Sequence, residues 1–450
     1  MIVSDWLRGQ PRRVTIRPRT SSRHGTPITT AVEQVVSNQR EAVRIGWLES
    51  PGESMQVRKL SSAVLGLTLG LGGLAACGSS KSASAGGTPS TAAAPSASAA
   101  APGGSSGLAR AAAAVKGLST APTNIPETVP LPHAPAKGIK VAFLSCPAAS
   151  CTLLNNGFTS AAKALGWNPT VITYNSATPG QAVQQAINEG FKYIASTSIS
   201  LDTITPEVQE AKAKGIALFE GYVNDTPQGA SNGLYGVVAD QAADLAGGKL
   251  MADWIINHSA GHANVVYVSL PLYPSLVGQG DAAQKELTAS CPSCSFATLP
   301  ITVNQLGAGQ VPSAIVSYLQ SHPSTNYVFL SFQDLDPGVV AALKSAGLAS
   351  KVKIVGVQGQ AAQMREVENG TETMWSILPE PYEMWVIVDW MARLSEGVLT
   401  PAALAAGNAS TEWFVSTPAG AKSLLASFGG DWPGPANYQA EYEKLWHVGA

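Results

Sequence analysis

The chain has 450 residues, a length that allows two or three domains rather than one. Hydrophobic residues make up 45% of it, which suits a globular protein, but only 13% of residues are charged, about half the usual share. The formal net charge of −2 gives no electrostatic reason to expect a nucleic acid partner. Basic residues are in excess through residue 59 and acidic residues after it, so the start is basic and the remainder acidic.

An export signal follows Met55. Two basic residues precede Leu60–Gly73, an uncharged run that is rich in Leu and Gly and too short to cross a bilayer comfortably as a permanent helix. The run continues into Leu-Ala-Ala-Cys77, which resembles the lipobox of bacterial lipoproteins. We therefore predict a lipoprotein signal peptide at 55–76, lipidation of Cys77 and a lipid-anchored location on the extracytoplasmic face of the bacterial cell membrane. The alternative is a signal-anchor with an incidental Cys.

Two segments around the signal are predicted to lack a fold. Residues 1–54 are Arg-rich and irregular, so we interpret them as a start codon assigned too early or as a disordered segment; a cytoplasmic tail before a true membrane anchor is the alternative. Gly78–Gly107 is nearly all Ser, Ala, Gly, Pro and Thr, and a Pro-rich connector follows at 121–137. Segments of this composition bury too little apolar surface to offset the conformational entropy that they would lose on folding. We predict a lipid-anchored flexible tether over 77–137, with a short helix at 111–118.

From residue 139 onward, β-rich runs alternate with helical patterns. The first series has strands at Ile139–Ser145, Thr170–Tyr174, Tyr193–Thr197, Ile216–Glu220 and Leu234–Val238, with helices at Leu153–Gly166, Gln181–Gly190 and Pro206–Lys214. A helix over Asp240–Ile256 leads to the second series, with strands at Val265–Ser269, Phe296–Ile301, Tyr327–Phe332, Lys353–Val357 and Met374–Leu378, and helices at Val277–Thr288, Val311–Gln320, Pro337–Ser345, Ala361–Glu368 and Pro381–Glu396. Repeated βαβ units predict an α/β fold of two doubly wound parallel-sheet lobes joined by crossover strands.

Six segments of this pattern carry a family resemblance: Lys140–Ser145, Gly190–Ile194, Ala211–Phe219, Tyr235–Asp240, Lys353–Val357 and Pro381-Tyr382. In order and spacing they resemble the ribose/galactose-type (type I) periplasmic binding protein family over about 138–400. The resemblance implies an N-terminal lobe at 138–239, completed by about 380–410, and a C-terminal lobe at 240–379, completed by about 411–450. It also implies three crossings between the lobes, a ligand in the cleft between them, and closure that presents a surface to a membrane permease.

The sequence shows no recognisable catalytic constellation. The six His are scattered, and His258 and His262 lie in a helix-ending loop whose Gly and Ser do not hold two imidazoles on one helical face. There is no Gly-x-Ser-x-Gly elbow, Walker loop or HExxH motif. We therefore expect a protein that is not an enzyme and uses neither a cofactor nor a metal.

Four cysteines remain after Cys77, in two close pairs. Because disulfides persist in exported proteins, we predict the bonds Cys146–Cys151 and Cys291–Cys294. The second pair is a CxxC motif, so a redox role is the alternative. Activated thiols of this kind sit at a helix N-terminus, whereas this motif follows a predicted helix and precedes a strand. We therefore predict a structural disulfide.

Ligands of open α/β sheets bind at the carboxyl ends of the strands. From those positions we predict a ligand site formed by Ser150, Thr197, Tyr222, Asp240, Tyr273, Phe332, Gln333 and Gln358. Compared with sugar-binding members of the resembled family, an expected Arg falls on Val277 and an expected Asp on Gln358, while Asp240 is retained. The structural alternatives are that Phe332 completes a core strand and that Asp240 only caps its helix.

Arginine is scarce after Cys77. Only Arg110, Arg365 and Arg393 remain, and Arg110 falls in the predicted tether, so bidentate recognition of an anion has almost no candidates. We predict an uncharged solute with one flat apolar face, sugar-like by family resemblance. The predicted function is a monomeric, lipid-anchored binding protein that delivers this solute to an ABC import permease. The alternatives are a receptor of the same fold for a membrane sensor, and an exported enzyme or thiol-redox protein.

Overall fold

The computed structural model describes residues 103–449, with side chains from residue 106 onward. All of these belong to one unit, Ala94–Ala450, which begins in the description with helix α1, Gly103–Ala114. The predicted signal peptide, Cys77 and the first part of the predicted tether lie outside the described residues. Within them, no helix combines the length and apolar character needed to cross a membrane. The described chain forms two α/β lobes, which confirms the predicted fold class.

The N-terminal lobe is built on a parallel five-stranded sheet in the order β2-β1-β3-β4-β5. Its elements are Lys140–Ser145 (β1), Cys151–Ala164 (α2), Asn168–Thr173 (β2), Gly180–Asn188 (α3), Tyr193–Thr197 (β3), Thr205–Ala213 (α4), Ala217–Gly221 (β4) and Leu234–Val238 (β5), with short 3-10 helices at Leu201–Ile204 and Gly229–Ser231. The two central strands β3 and β4 are buried along their whole length, because helices cover both faces of the sheet.

The C-terminal lobe has a six-stranded sheet in the order β11-β10-β9-β8-β6-β7, in which only β11 is antiparallel to its neighbour. Its elements are Gln241–His258 (α5), Asn264–Ser269 (β6), Pro274–Ser290 (α6), Ser295–Pro300 (β7), Val303–Gly307 (α7), Val311–Ser321 (α8), Tyr327–Leu330 (β8), a 3-10 helix at Gln333–Leu335, Val339–Ser345 (α9), Lys353–Gly356 (β9), Ala361–Glu368 (α10) and Met374–Ile377 (β10). The chain then forms Glu380–Ser395 (α11) and Pro401–Gly407 (α12), which pack on the N-terminal lobe, before Trp413–Val415 (β11) and Pro418–Phe428 (α13) complete the C-terminal one.

The last helix, Tyr438–Leu445 (α14), belongs to the N-terminal lobe. Within the described residues, the chain crosses between the lobes first in the connector after α1, then at the three expected places, after β5, β10 and α12, and again across 429–437. The prediction that all of 411–450 completes the C-terminal lobe is therefore wrong for its last part. The cause is aromatic packing: the Trp446 ring stacks on Trp385 of α11 at 5.2 Å between centroids, and Tyr442 is buried beside them.

The tether prediction is also wrong for residues 103–137. Helix α1 packs against α5 and α6, and its apolar side chains Leu108 and Ala111 recur at helical spacing and enter the C-terminal core. Gly107 permits this close approach, because a Cβ there would lie 2.0 Å from the Ser290 carbonyl oxygen. The predicted helix at 111–118 thus begins earlier and ends earlier. Past it, the connector reaches the N-terminal core, where Leu131 is buried.

The connector is tied to α11 by Arg393, which is 2% exposed. Its Nε donates to Asp389 Oδ2 at 2.7 Å and its Nη2 donates to the Val129 carbonyl at 2.8 Å, while a Glu127 carboxylate oxygen lies 3.6 Å from Nε. Trp446 Nε1 donates to the other Asp389 oxygen at 2.7 Å. Burial raises the pKa of Asp389 to about 6, against the opposing effect of Arg393. This buried network, far from the cleft, joins the connector, α11 and the end of the chain.

We predict that Arg393→Ala destabilises the protein by about 3–5 kcal/mol, because the substitution leaves the Asp389 carboxylate buried without its cationic partner. The matched control is Arg365→Ala, which removes an exposed Arg from α10 and should change the free energy of unfolding by less than about 0.5 kcal/mol. The measurement is urea denaturation followed by circular dichroism. Equal losses for the two variants would contradict the importance of the network.

Candidate functional site

A cavity of about 870 Å³ lies between the two lobes. The carboxyl ends of strands from both sheets form its walls, as expected for doubly wound lobes. All eight residues predicted from sequence line this cavity: Ser150, Thr197, Tyr222, Asp240, Tyr273, Phe332, Gln333 and Gln358. The structure therefore brings them together, and their contact with a solute stays a prediction.

Four lining residues hold a backbone conformation that non-glycine residues rarely adopt. The φ angles of Ser198, Tyr222, Ala239 and Gln358 are 62°, 59°, 48° and 62°, and these residues follow β3, β4, β5 and β9. Such conformations carry strain and persist where surrounding structure imposes them. These four residues lie on the cavity wall where the chain turns after a strand. Their residue types alone did not predict this backbone conformation.

Aromatic and amide groups form part of the wall. Tyr222, Tyr273 and Phe332 are each partly buried and present ring surface there. Phe332 lies beyond the end of β8 at Leu330, so it does not complete a core strand, although its ring packs against the C-terminal core as well as lining the cavity. Gln333 is only 3% exposed, and its Oε1 has no hydrogen-bond partner among the described residues.

Two polar groups of the wall also have structural contacts. Asp240 caps α5, since its Oδ1 accepts from the Ala243 amide at 3.0 Å, and its Oδ2 lies 3.5 Å from Asn408 Nδ2. The capping interpretation is thus correct for one carboxylate oxygen, while the residue also lines the cavity. Ser150 Oγ donates to Asp334 Oδ2 at 2.8 Å and so bridges the cleft from the N-terminal to the C-terminal lobe.

The cleft contains more acidic side chains than the site predicted from the sequence. Besides the predicted Asp240, five acidic residues line it that the predicted site did not include: Asp244, Asp334, Glu380, Glu383 and Glu412. None of the described residues on this wall is Lys, Arg or His. Val277 does not belong to the wall and is 39% exposed. The absence of basic lining residues leaves these carboxyl groups without an ionic partner in the cavity wall.

Five of the six acids lie on or beside the crossovers between lobes. Asp240 and Asp244 follow β5, Glu380 and Glu383 follow β10, and Glu412 precedes β11. The spacing of Asp240 and Asp244, one helical turn apart, was the sequence signal available for the second of these. For the two Glu residues, the signal was their place beside Pro381-Tyr382 at a strand end.

The hydrogen-bond partners of two of these acids, Glu383 and Glu380, are neutral side chains. Tyr222 Oη donates to Glu383 Oε2, and Gln360 Nε2 donates to Glu380 Oε2 at 3.0 Å. Asp244 Oδ2 is buried without a partner among the described residues. A neutral donor stabilises a carboxylate less than a cation does, so the cluster remains poorly compensated.

Burial and repulsion between neighbouring acids raise the pKa values of Asp244, Glu380, Glu383 and Glu412. Burial is the main cause for Glu383 and Glu412, each with a pKa of about 7, and the Tyr222 hydroxyl partly opposes it at Glu383. Burial, followed by Asp240, Glu383 and Glu412, raises the pKa of Asp244 to about 8. Glu380 is shifted well above the ordinary pKa by burial and then by Glu383. At neutral pH some of these carboxyl groups are therefore protonated when no solute is bound.

The two cysteine pairs are disulfide-bonded in the structure. Cys146 and Cys151 line the cavity, on the loop that carries Ser150. Cys291 directly follows the C-terminus of α6, where the helix dipole disfavours a thiolate. Among the described residues, no three His, Cys, Asp or Glu side chains could hold a metal ion. His258 Nδ1 instead lies 2.7 Å from the Tyr327 hydroxyl.

We predict that the empty protein loses stability as the pH rises from 5 to 8. The folded-state pKa values of Glu383, Glu412 and Asp244 are raised, so the folded state binds more protons than the unfolded state, and its advantage disappears as these groups ionise. One raised group of this size contributes on the order of 3 kcal/mol. Thermal unfolding across this pH range should show a shallower decline for Glu383→Gln. The exposed control Glu189→Gln should keep the wild-type slope, and a flat wild-type profile would contradict the raised values.

Comparison with known proteins agrees with this architecture. A family model described as a periplasmic binding protein domain matches residues 149–398. No curated protein sequence matches the chain significantly. Among solved structures, the 5-methylthioribose transporter solute-binding protein of Thermotoga lettingae shares 18% identity over 71% of this chain and 95% of its own, with a TM-score of 0.56.

Two further solved structures share the fold. A carbohydrate transporter protein of Acidothermus cellulolyticus in complex with myo-inositol is 17% identical, over 64% of this chain and 97% of its own, with a TM-score of 0.54. A sugar ABC transporter protein of Yersinia enterocolitica is 17% identical, over 72% of this chain and 100% of its own, with a TM-score of 0.57. The family match covers more than half of the chain, so this protein belongs to the type I periplasmic binding protein family, a family of solute-binding proteins.

Proposed function

We propose that this protein is an extracytoplasmic solute-binding lipoprotein that captures a small solute between its lobes and delivers it to an ABC import permease. One observation carries the proposal: the eight residues predicted from strand ends converge on one cavity of about 870 Å³. That volume suits a small organic ligand. Solved proteins of the same fold bind 5-methylthioribose, D-allose and myo-inositol, which supports a solute of this size.

The two lobes are arranged for a binding cycle. Ser150 and Asp334 join them across the cleft by a hydrogen bond between side chains, and each lobe has its own buried core. Separate cores allow the lobes to move as bodies, with the crossover segments absorbing the change. A solute that contacts both lobes favours the closed arrangement by its differential affinity for the two states.

The membrane attachment rests on the sequence before the described residues. The basic residues, the apolar run and the Cys77 box arrive in the order that lipoprotein processing requires. A lipid-anchored receptor would hold the solute close to a permease in the same membrane. The sensor alternative uses the same cleft, and the neighbouring genes would distinguish the two. The thiol-redox alternative has little support, because Cys291 lies at a helix C-terminus.

The uncharged solute predicted from sequence rested on the scarcity of Arg. Arg393 is buried in the network that ties the connector to α11, Arg365 lies on α10 away from the cavity, and Arg110 donates from α1 to Ser290 Oγ at 2.9 Å. These positions disfavour an anionic solute. They do not favour a neutral solute over a cationic one, because the scarcity of Arg says nothing about the acidic side chains of the wall.

We predict that a solute will stabilise the folded protein without being turned over. The test is a thermal-shift screen of the full chain with sugars, polyols, nucleosides, aromatic compounds and amines, since a ligand at one hundred times its Kd stabilises by about 2.7 kcal/mol. Phe332→Ala should weaken binding of any hit at least tenfold, because this ring lines the cavity. Phe428→Ala removes an exposed ring of α13 and should leave affinity unchanged. Consumption of the hit compound, or no hit across the screen, would contradict the proposed function.

We also predict that Cys77 is lipidated and that residues 1–76 are absent from the mature protein. Cys77→Ala removes the thiol that takes the lipid, so an unprocessed precursor should accumulate. Mass spectrometry of the membrane fraction provides the measurement. Recovery of peptides from residues 1–76 in the mature, membrane-bound protein would show the assignment to be incorrect.

A further inference from the structure

We infer that the solute is a small organic cation, bound through an ammonium or guanidinium group by the carboxylates that the crossover segments bring to the cleft. The inference depends on the proposed function, since it names the chemical class of the solute. It replaces the uncharged solute that the sequence predicted.

The first argument is charge compensation. Outside the cleft, two buried acids have cationic partners: Arg393 donates to Asp389 at 2.7 Å and Lys249 donates to Asp253 at 2.6 Å. Three other buried acids outside the cavity have no ionic partner among the described residues: Glu220, Asp336 and Glu372. Burial alone therefore does not mark a cation site, whereas the gathering of several acids in one cavity does. The cavity contains six acids, and the described residues that line it include no basic side chain. A buried carboxylate without a partner is strongly unfavourable. The cation missing from the wall is the one that a bound solute supplies.

The second argument is the balance of donors and acceptors. Gln333, 3% exposed, presents an Oε1 that has no hydrogen-bond partner among the described residues, and Asp244 Oδ2 is in the same situation. The Gln333 Oε1 only accepts hydrogen bonds, and the Asp244 carboxylate does so once it is ionised. An ammonium or guanidinium group carries several N–H donors and no acceptor, so it satisfies such atoms without adding an acceptor of its own. A sugar hydroxyl brings lone pairs as well as one proton and satisfies them less fully.

The cavity favours an organic cation over a metal ion. The described residues contain no group of three acidic, His or Cys side chains close enough to hold a metal. The volume of about 870 Å³ also far exceeds that of a single ion. The rings of Tyr222, Tyr273 and Phe332 supply an apolar wall for a carbon skeleton, and aromatic faces attract cations.

The protonation of these acids before a solute binds predicts the direction in which pH changes the affinity for a cation. Asp244 faces Asp240 on its own helix, Glu383 on α11 and Glu412 before β11, and Tyr222 donates to Glu383. Burial and these neighbours raise the pKa of Asp244 to about 8. A cation stabilises the ionised carboxylates, so its binding at neutral pH releases protons, and its affinity rises as the pH increases.

Calorimetric titration of the full chain at pH 8 tests the proposal with three matched pairs. Each pair keeps the skeleton and removes the charge: N-methyl-D-glucamine with D-glucitol, choline with 3,3-dimethylbutan-1-ol, and putrescine with 1,4-butanediol. At least one cation should bind ten times more tightly than its neutral counterpart. The preference should shrink at pH 5.5, and near neutral pH the binding heat should change with the ionisation enthalpy of the buffer.

Two glutamate variants locate the interaction. Glu383→Gln preserves shape and removes one charge, so it should weaken cation binding at least tenfold and leave the neutral partner unaffected. Glu412→Gln makes the same change on another crossover and serves if the first variant does not fold. Glu189→Gln, an exposed position in the N-terminal lobe, should leave both affinities unchanged.

The outcomes separate the two levels of the argument. If neutral members bind as tightly as cations, or if the glutamate variants do not affect cation binding, the cationic class is wrong and solute binding stands. If none of the six compounds binds, the cationic class is contradicted as well. The thermal-shift screen of sugars, polyols, nucleosides and aromatic compounds then decides the solute-binding function independently.

Discussion

The convergence of three crossover segments on one cavity is the constraint on which the site depends. Each segment joins the lobes and each brings acid to the same place: Asp240 and Asp244 after β5, Glu380 and Glu383 after β10, and Glu412 before β11. Like charges that are held close together repel one another, so the acids on these segments carry an electrostatic cost whenever they ionise together.

The lobes themselves are stabilised independently of this cluster. Apolar side chains fill separate cores on the faces of each sheet, and the Arg393 network connects α11, the connector and the end of the chain away from the cavity. The carboxylates of Asp244, Glu383 and Glu412 are destabilising when ionised, because burial raises the pKa of each, and the cores offset that cost. Because the cores and the cleft are separate, the scaffold stays stable while the site is strained and charged, which is a common arrangement in functional proteins.

Local patterns in the sequence predicted the two lobes and the residues of the site that follow strand ends. Alternating β-rich and helical runs identify βαβ units, and the rule that ligands bind at strand ends selects residues such as Thr197 and Gln358. The acids were harder to place because Glu380 and Glu383 lie in the first turn of α11, and the face they present depends on where that helix crosses between lobes. The first part of helix α1 was assigned to the tether because its composition resembles disordered chain, although Leu108 and Ala111 recur at helical spacing.

The placement of α1 determines which fragment of the chain can be produced as a well-behaved recombinant domain. A boundary drawn at residue 138, just before the first strand, would remove both α1 and the connector. The α5 and α6 surface under Ala111 would become solvent-exposed, and Arg393 would lose its contacts with Val129 and Glu127. Newly exposed apolar surface of this kind promotes self-association. A soluble fragment that retains the native packing must therefore begin before Gly103.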